Sequence, residues 1–117
     1  MSLSGRQLER KNISSPEEKI EMEKGKISIV NIGNLKIAKF IFEPGWSWEK
    51  CEKPLSKTES CKMTHQAYLI SGKIHVKMIP SGKESEFGPG DIAFVPPGHD
   101  AWVVGDEPVV GLDISVA

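Results

Sequence analysis

The chain has 117 residues, 38% apolar and 26% charged, a composition that fits one soluble globular domain with a real core. Its formal net charge of −1 at pH 7 excludes an ordinary nucleic-acid binder, which needs a Lys/Arg excess on one face. No apolar run approaches the ~20 residues of a membrane helix, and residues 1–12 lack a signal-peptide stretch, so a cytoplasmic protein without a membrane partner is expected. In that compartment Cys51 and Cys61 are expected as thiols rather than as a disulfide.

Residues 1–13 read as a polar arm and residues 14–117 as one domain. Ser15 and Pro16 could cap and open one helical turn, which Gly25 would stop. Beyond it the apolar residues alternate and the pieces are short, which is strand periodicity. Strands are expected at 26–30 and 35–42, joined through a turn at 31–34 that uses Gly33 and Asn34. Glu43-Pro44-Gly45 breaks the second of these, and Trp46 to Glu49 reads as extended. A loop holding Pro54 follows. Residues 58–71 read as strand-like throughout, and Gly72 turns them into a strand at 73–79. Turns at 80–82 and 87–91 precede a short apolar strand at 92–95. Strands at 102–104 and 109–116 close the chain. Many short strands with almost no helix point to a β-sandwich or a barrel, and periodicity does not choose between them.

The stretch Gly90-Asp91-Ile92-Ala93-Phe94-Val95-Pro96-Pro97-Gly98-His99 resembles the second cupin motif. His65 stands seven residues before Gly72, the Glu-to-Gly spacing that ends the first cupin motif. The string from Pro96 to Pro108, together with Trp46 and Trp48 after Pro44-Gly45, is similar to that of small single-domain cupins. The resemblance spans residues 40–112. It implies an all-β, antiparallel double-stranded β-helix (a cupin or jelly-roll barrel), a pocket in its interior and a homodimer. Cupin enzymes usually hold a divalent metal through His-x-His and Glu of the first motif and His of the second. Aligned on Gly72, those positions carry Glu59, Cys61, His65 and Ala101, with His99 two residues before the last. Lys53 stands where the first motif opens with Gly. The usual ligand set therefore does not carry over as such.

Side-chain alternation offers a second route to the interior. Cys61, Met63, His65, Ala67 and Leu69 share one face, the more apolar at its start, and are expected to point inward. His99 shares its parity with Ala101 and Val103. Trp46 and Trp48 share theirs and would line or cover the mouth. The expected ligand pocket is Trp46, Trp48, Glu59, Met63, His65 and Ala101, with Glu59 as an oxygen ligand or proton acceptor. The expected metal ligands are Cys51, Cys61, His65 and His99, a thiol and imidazole set suited to one divalent ion, whether Zn, Fe, Mn or Ni. The competing reading packs both thiols, leaves His65 as a core histidine and uses His99 to fix a turn. His75, among lysines, is expected in solvent, and Trp102 between sheets or in a subunit contact.

Three functions follow from these residues. The first is a cupin that binds a small molecule inside the barrel, with a non-standard or absent metal site. The alternative is a metal-dependent cupin enzyme of isomerase, lyase or dioxygenase type, using a Cys/His-containing site. A third is an interaction module with a filled interior. No Ser/His/Asp series, phosphate-binding Gly loop or zinc-finger spacing is present, so hydrolase and nucleotide-binding readings rank low.

Overall fold

Three hairpin-linked strands open the computed structural model, which describes residues 7–116. They are β1 (Glu18–Met22), β2 (Gly25–Ile32) and β3 (Leu35–Phe42), paired antiparallel. The expected helical turn at Ser15 and Pro16 is not formed. The Glu17 backbone N–H instead donates to the Ile29 carbonyl at 2.9 Å, and its carboxylate accepts from the Asn31 N–H. A neighbouring strand offered the backbone a longer ladder than a local cap could. Residues 1–6 of the expected arm lie outside the described residues. Lys11 fastens part of the remainder by its bond to Glu17.

The remaining strands are β4 (His65–Ser71), β5 (Lys73–Met78), β6 (Glu84–Phe87), β7 (Ile92–Val95), β8 (His99–Val104) and β9 (Val109–Val116). They build a six-stranded sheet, ordered β1-β2-β3-β9-β4-β7, and a three-stranded sheet, ordered β6-β5-β8, all antiparallel. This is the all-β cupin arrangement. Gly72 makes the corner at which the chain leaves one sheet for the other. Its φ is +76°, and a Cβ there would lie 2.4 Å from the Pro108 carbonyl oxygen, so only glycine passes.

Between β3 and β4 the chain departs from its expected course. Trp48–Glu52 forms one π-helical turn, started by Ser47, whose Oγ accepts from the Lys50 N–H, and Lys53–Ser56 adds one α-helical turn. The wide turn puts both Trp48 and Cys51 into the core, which an extended segment would not do. Residues 58–64 are not a strand either. Among the described residues, their backbone pairing with the sheets is the single bridge from Cys61 to His99. β6 was not anticipated, because its alternating Glu84, Ser85, Glu86 carries no apolar face.

Alternation directs the inner faces of both sheets into one shared core. Phe42, Leu69, Ile74, Val76, Val95 and Val109 pack there, with Leu69 and Val109 essentially sealed from water. The aromatic floor is continuous: Phe40 stacks on Phe42, and Phe42 on Trp46, the latter pair with ring centroids 3.8 Å apart. His75 and Trp102 stack on each other on the opposite face of the small sheet, with His75 also bonded to Glu84, so Trp102 packs within its own sheet.

Candidate metal centre and cavity

The two sheets do not close on each other completely. They leave a cavity of about 340 Å³, within the range of small-molecule sites. Hydrocarbon makes most of its wall. Three donor side chains reach it from three separate elements: Cys61 from the irregular segment, His65 from the first position of β4, and His99 from the first position of β8.

Each donor is held by the backbone or by a carboxylate. Cys61 N–H donates to the His99 carbonyl at 2.9 Å, and Gly98 N–H donates back to the Cys61 carbonyl at 2.7 Å. His99 Nδ1 lies 2.8 Å from the Pro96 carbonyl oxygen, which can only accept, so Nδ1 carries a proton and Nε2 is the ring nitrogen left for the centre. His65 Nδ1 donates to Asp113 Oδ2 at 2.5 Å, and Asp113 Oδ1 accepts from the Gln66 N–H. That fixes the ring with Nε2 facing Cys61 Sγ at 3.6 Å. The two imidazole rings meet edge to face, centroids 5.0 Å apart.

Electrostatics follow from this arrangement. Burial pushes the Cys61 thiol up, but hydrogen bonds from His65 and His99 outweigh it and bring it down to about 6. Burial pulls the His65 imidazolium down, but Asp113 and then Cys61 outweigh that and raise it to about 9. Without a metal, the pair is therefore a thiolate beside an imidazolium at neutral pH. Glu52, at the end of the π-helical turn, also lines the cavity, and burial pushes its carboxyl up despite His65, Trp48 and His99.

A metal fits this donor set. One ligand atom from each of Cys61, His65 and His99 lies within 4.8 Å of the others. Tetrahedral coordination by sulfur and nitrogen at ordinary bond lengths sets neighbouring ligand atoms about 3.3–3.6 Å apart, so a small closure of the side chains suffices. Both imidazoles already have their Nδ1 protons engaged, as metal-bound histidines do.

Of the expected pocket residues, Trp46, Trp48, Met63, His65 and Ala101 line the cavity. Glu59 does not: its side chain is 96% exposed and reaches only to Lys53, 3.6 Å away. Of the expected ligands, Cys61, His65 and His99 come together, whereas Cys51 is buried in the core away from them. Both cysteines are free thiols. Sequence reasoning missed Asp113 and Glu52. The parity of β9 sets Asp113 on the same face as Gly111 and Ser115, and that could have found it. Glu52 is hidden in a Lys/Glu-rich run that looks like a solvated surface.

Residues 41–110 match the EutQ-like cupin domain family. The chain belongs to that family. The cupin chain is 34% identical over 110 residues to oxalate decarboxylase of Bacillus subtilis, covering 84% of this chain and 26% of that protein. It thus spans about a quarter of the length of that relative. The solved structure of the Bacillus subtilis enzyme at pH 4.6 superposes with a TM-score of 0.61 at 29% identity, over 84% of this chain and 27% of the other. That enzyme carries Mn(II) centres. The polyketide cyclase RemF from Streptomyces resistomycificus superposes with a TM-score of 0.64 over 94% of this cupin and 80% of RemF, but at 16% identity it supports the fold alone. Among the described residues, no helix of the cupin is long and apolar enough to cross a membrane.

Proposed function

We propose that this cupin is a metal-dependent protein acting on a small molecule in its cavity, with one divalent ion held by Cys61, His65 and His99. The observation that carries the reading is the convergence of three metal-ligating side chains on the wall of a small, largely apolar chamber. Three protein ligands leave a coordination position for the ligand, the pattern of reactive rather than structural metal sites. A thiolate with two imidazoles suits zinc better than manganese, which prefers oxygen donors.

Bound there, the ion would supply Lewis-acid polarisation of a ligand oxygen. The protein's own part is different. Asp113 and the Pro96 carbonyl keep the two histidine Nε2 atoms aimed at one point. The largely hydrocarbon wall lowers the local polarity, which strengthens the polar contacts inside. Whether the result is binding alone or a lyase- or isomerase-type reaction depends on the ligand's leaving group. The two free thiols suit a reducing compartment such as the cytoplasm.

A second copy of the chain is the expected partner. β7 is an edge strand, and its outward Ile92 and Phe94 are 80% and 67% exposed, beside Tyr68 and Ile70 of β4. Light scattering should give the mass of two chains, and Phe94→Lys that of one.

The test of the metal reading is elemental analysis of protein purified without a metal-affinity column. About one zinc per chain is expected. His65→Ala and Cys61→Ala should each lose it. Native protein that neither contains metal nor takes up added zinc would overturn the reading.

A further inference from the structure

Cys61, His65 and Asp113 stand in a row on the cavity wall. Cys61 Sγ lies 3.6 Å from His65 Nε2, and His65 Nδ1 donates to Asp113 Oδ2 at 2.5 Å. No stretch of sequence announces this row. Its members are 4 and 48 residues apart and come from the irregular segment, β4 and β9. The parts are fixed from behind. The Cys61 backbone bonds across to Gly98 and His99 through both its N–H and its carbonyl, and Asp113 Oδ1 accepts from the Gln66 N–H.

A thiol against an imidazole whose far nitrogen is held by a carboxylate has the parts of a nucleophile, a proton acceptor and an orienting group. Of the two imidazoles at the thiol, His65 is the one backed by Asp113, whereas His99 Nδ1 is committed to the neutral Pro96 carbonyl. A proton taken up at His65 Nε2 therefore makes an imidazolium paired with a carboxylate. That cation also faces the side on which negative charge would develop on a carbonyl oxygen under attack by Sγ. The rest of the chamber seats the group to be attacked. Ile27, Phe40, Leu69, Val76 and Val95 offer hydrocarbon, against which an acyl chain is stabilised by burial.

We propose that the metal-free protein transfers acyl groups: Cys61 attacks the carbonyl carbon of a thioester or activated ester of a hydrocarbon acid, His65 takes the thiol proton, and Asp113 positions His65. The Sγ–H proton passes to Nε2 as the Sγ–C bond forms. The C–S or C–O bond of the donor then breaks, and the leaving thiolate or alkoxide takes that proton. In the second half water attacks the acyl–Cys61 thioester, its proton passes through Nε2 to Sγ, and the free acid leaves with the thiol restored. This goes beyond the metal reading. The ion and the acyl group use the same sulfur and exclude each other, so zinc occupancy decides which chemistry the cavity holds.

The probe is p-nitrophenyl butyrate, given to zinc-loaded and to chelator-treated protein. Chelator-treated protein should release about one nitrophenolate per chain in a burst, followed by slower steady release. Mass spectrometry of the native chain should place one butyryl group on Cys61, a result that needs no variant to fold. The burst should be about 100-fold faster than acylation of the same thiols in urea-unfolded protein, the worth of a positioned proton acceptor. Cys61→Ala, which keeps Cys51, should lose the burst. Asp113→Asn should slow it about tenfold or more at an unchanged half-saturating ester concentration, because the ring is misdirected while the cavity is intact. A burst no faster than in unfolded protein, a butyryl group on Cys51 instead, or a native rate in Asp113→Asn overturns the proposal. Zinc loading should abolish the burst. Stoichiometric zinc with the burst undiminished would refute Cys61 as a zinc ligand and leave acyl transfer standing. Stoichiometric zinc whose removal brings no burst would refute acyl transfer and leave the metal reading standing.

Discussion

Asp113 lies behind His65, and removing it is the sharpest perturbation of the proposed centre. Its Oδ2 takes the His65 Nδ1 proton at 2.5 Å, and its Oδ1 takes the Gln66 N–H at 3.2 Å. The side chain is only 20% exposed, so water screens little of this charge-assisted bond. Carboxylates placed behind ligating histidines are typically worth 10–100-fold in metal affinity, which is about 1.4–2.7 kcal/mol. Asp113→Ala removes both the anchor that aims the ring and the charge that makes Nε2 more basic, so a loss near 100-fold is expected. Asp113→Asn should fall between. To accept from His65 its amide must turn its NH₂ toward the Gln66 N–H, and two donors then face each other. The assay is competition for zinc against a chelator of known affinity at neutral pH. Native, Asp113→Asn, Asp113→Ala and His65→Ala should rank in that order of decreasing affinity. If Asp113→Ala bound zinc within about twofold of native while His65→Ala had lost it, the orienting role would be refuted.

Three further outcomes are expected. With metal removed, Cys61 is thiolate at neutral pH because it sits at about 6; both thiols are buried, but Cys61 lines the cavity, so iodoacetamide entering there should alkylate it before Cys51. Saturating zinc should protect it, and equal labelling with and without zinc would contradict ligation by Cys61. The pH dependence of metal-free stability tests the thiolate–imidazolium pair. Taken alone, the raised His65 favours the folded state below its ordinary 6.5, and that gain is lost as pH rises through about 9. Taken alone, the lowered Cys61 favours the folded state above its ordinary 9.0, and that gain is lost as pH falls through about 6. Together the folded pair titrates near 6 and 9 and the unfolded pair at 6.5 and 9.0, so the proton counts nearly match throughout. The difference in melting temperature between native protein and Cys61→Ser/His65→Ala should therefore stay nearly constant from neutral to mildly alkaline pH, and a steep slope would refute the pairing. Gly111→Ala should cost about 1–3 kcal/mol in urea unfolding by overpacking. Its Cβ would stand 2.4 Å from Phe40 Cζ and 2.9 Å from the Tyr68 carbonyl oxygen, so native-like stability would contradict this packing of β9 on Phe40.

Strands bounded by Gly or Pro were legible to the residue. β3, β7 and β9 begin and end where alternation and turn residues place them. The inward face of Cys61 and His65 was legible too, since both reach the cavity. The route between them was not. Residues 58–64 alternate like a strand, but only Cys61 finds a backbone partner, and pairing is decided by a neighbour distant in sequence. Trp46-Ser47-Trp48 has the period of a strand as well. That much holds, since Ser47 is extended and bridges Trp102; the departure begins at Trp48, where a π-helical turn takes Cys51 into the core as well, a choice made by the core and not by local propensity. That turn brings Glu52 to the cavity and leaves Glu59 in solvent, which reverses the acid chosen from the sequence. His99 stands two residues before the position that cupin spacing favours, yet it reaches the centre. It opens β8 directly after Gly98, whose φ is +96°, and the Pro96 carbonyl holds its ring.

The centre straddles the seam between the two sheets. Cys61 and His99 belong by backbone pairing to the three-stranded sheet, whereas His65 and Asp113 stand on adjacent interior strands, β4 and β9, of the six-stranded one. An ion bound by all three donors is thus a rivet through both walls. Its binding energy adds to folding stability in proportion to the logarithm of its free concentration. Amide hydrogens on β8 and β4, one from each wall, should then exchange more slowly together as zinc is added, although the chain links them only at a distance.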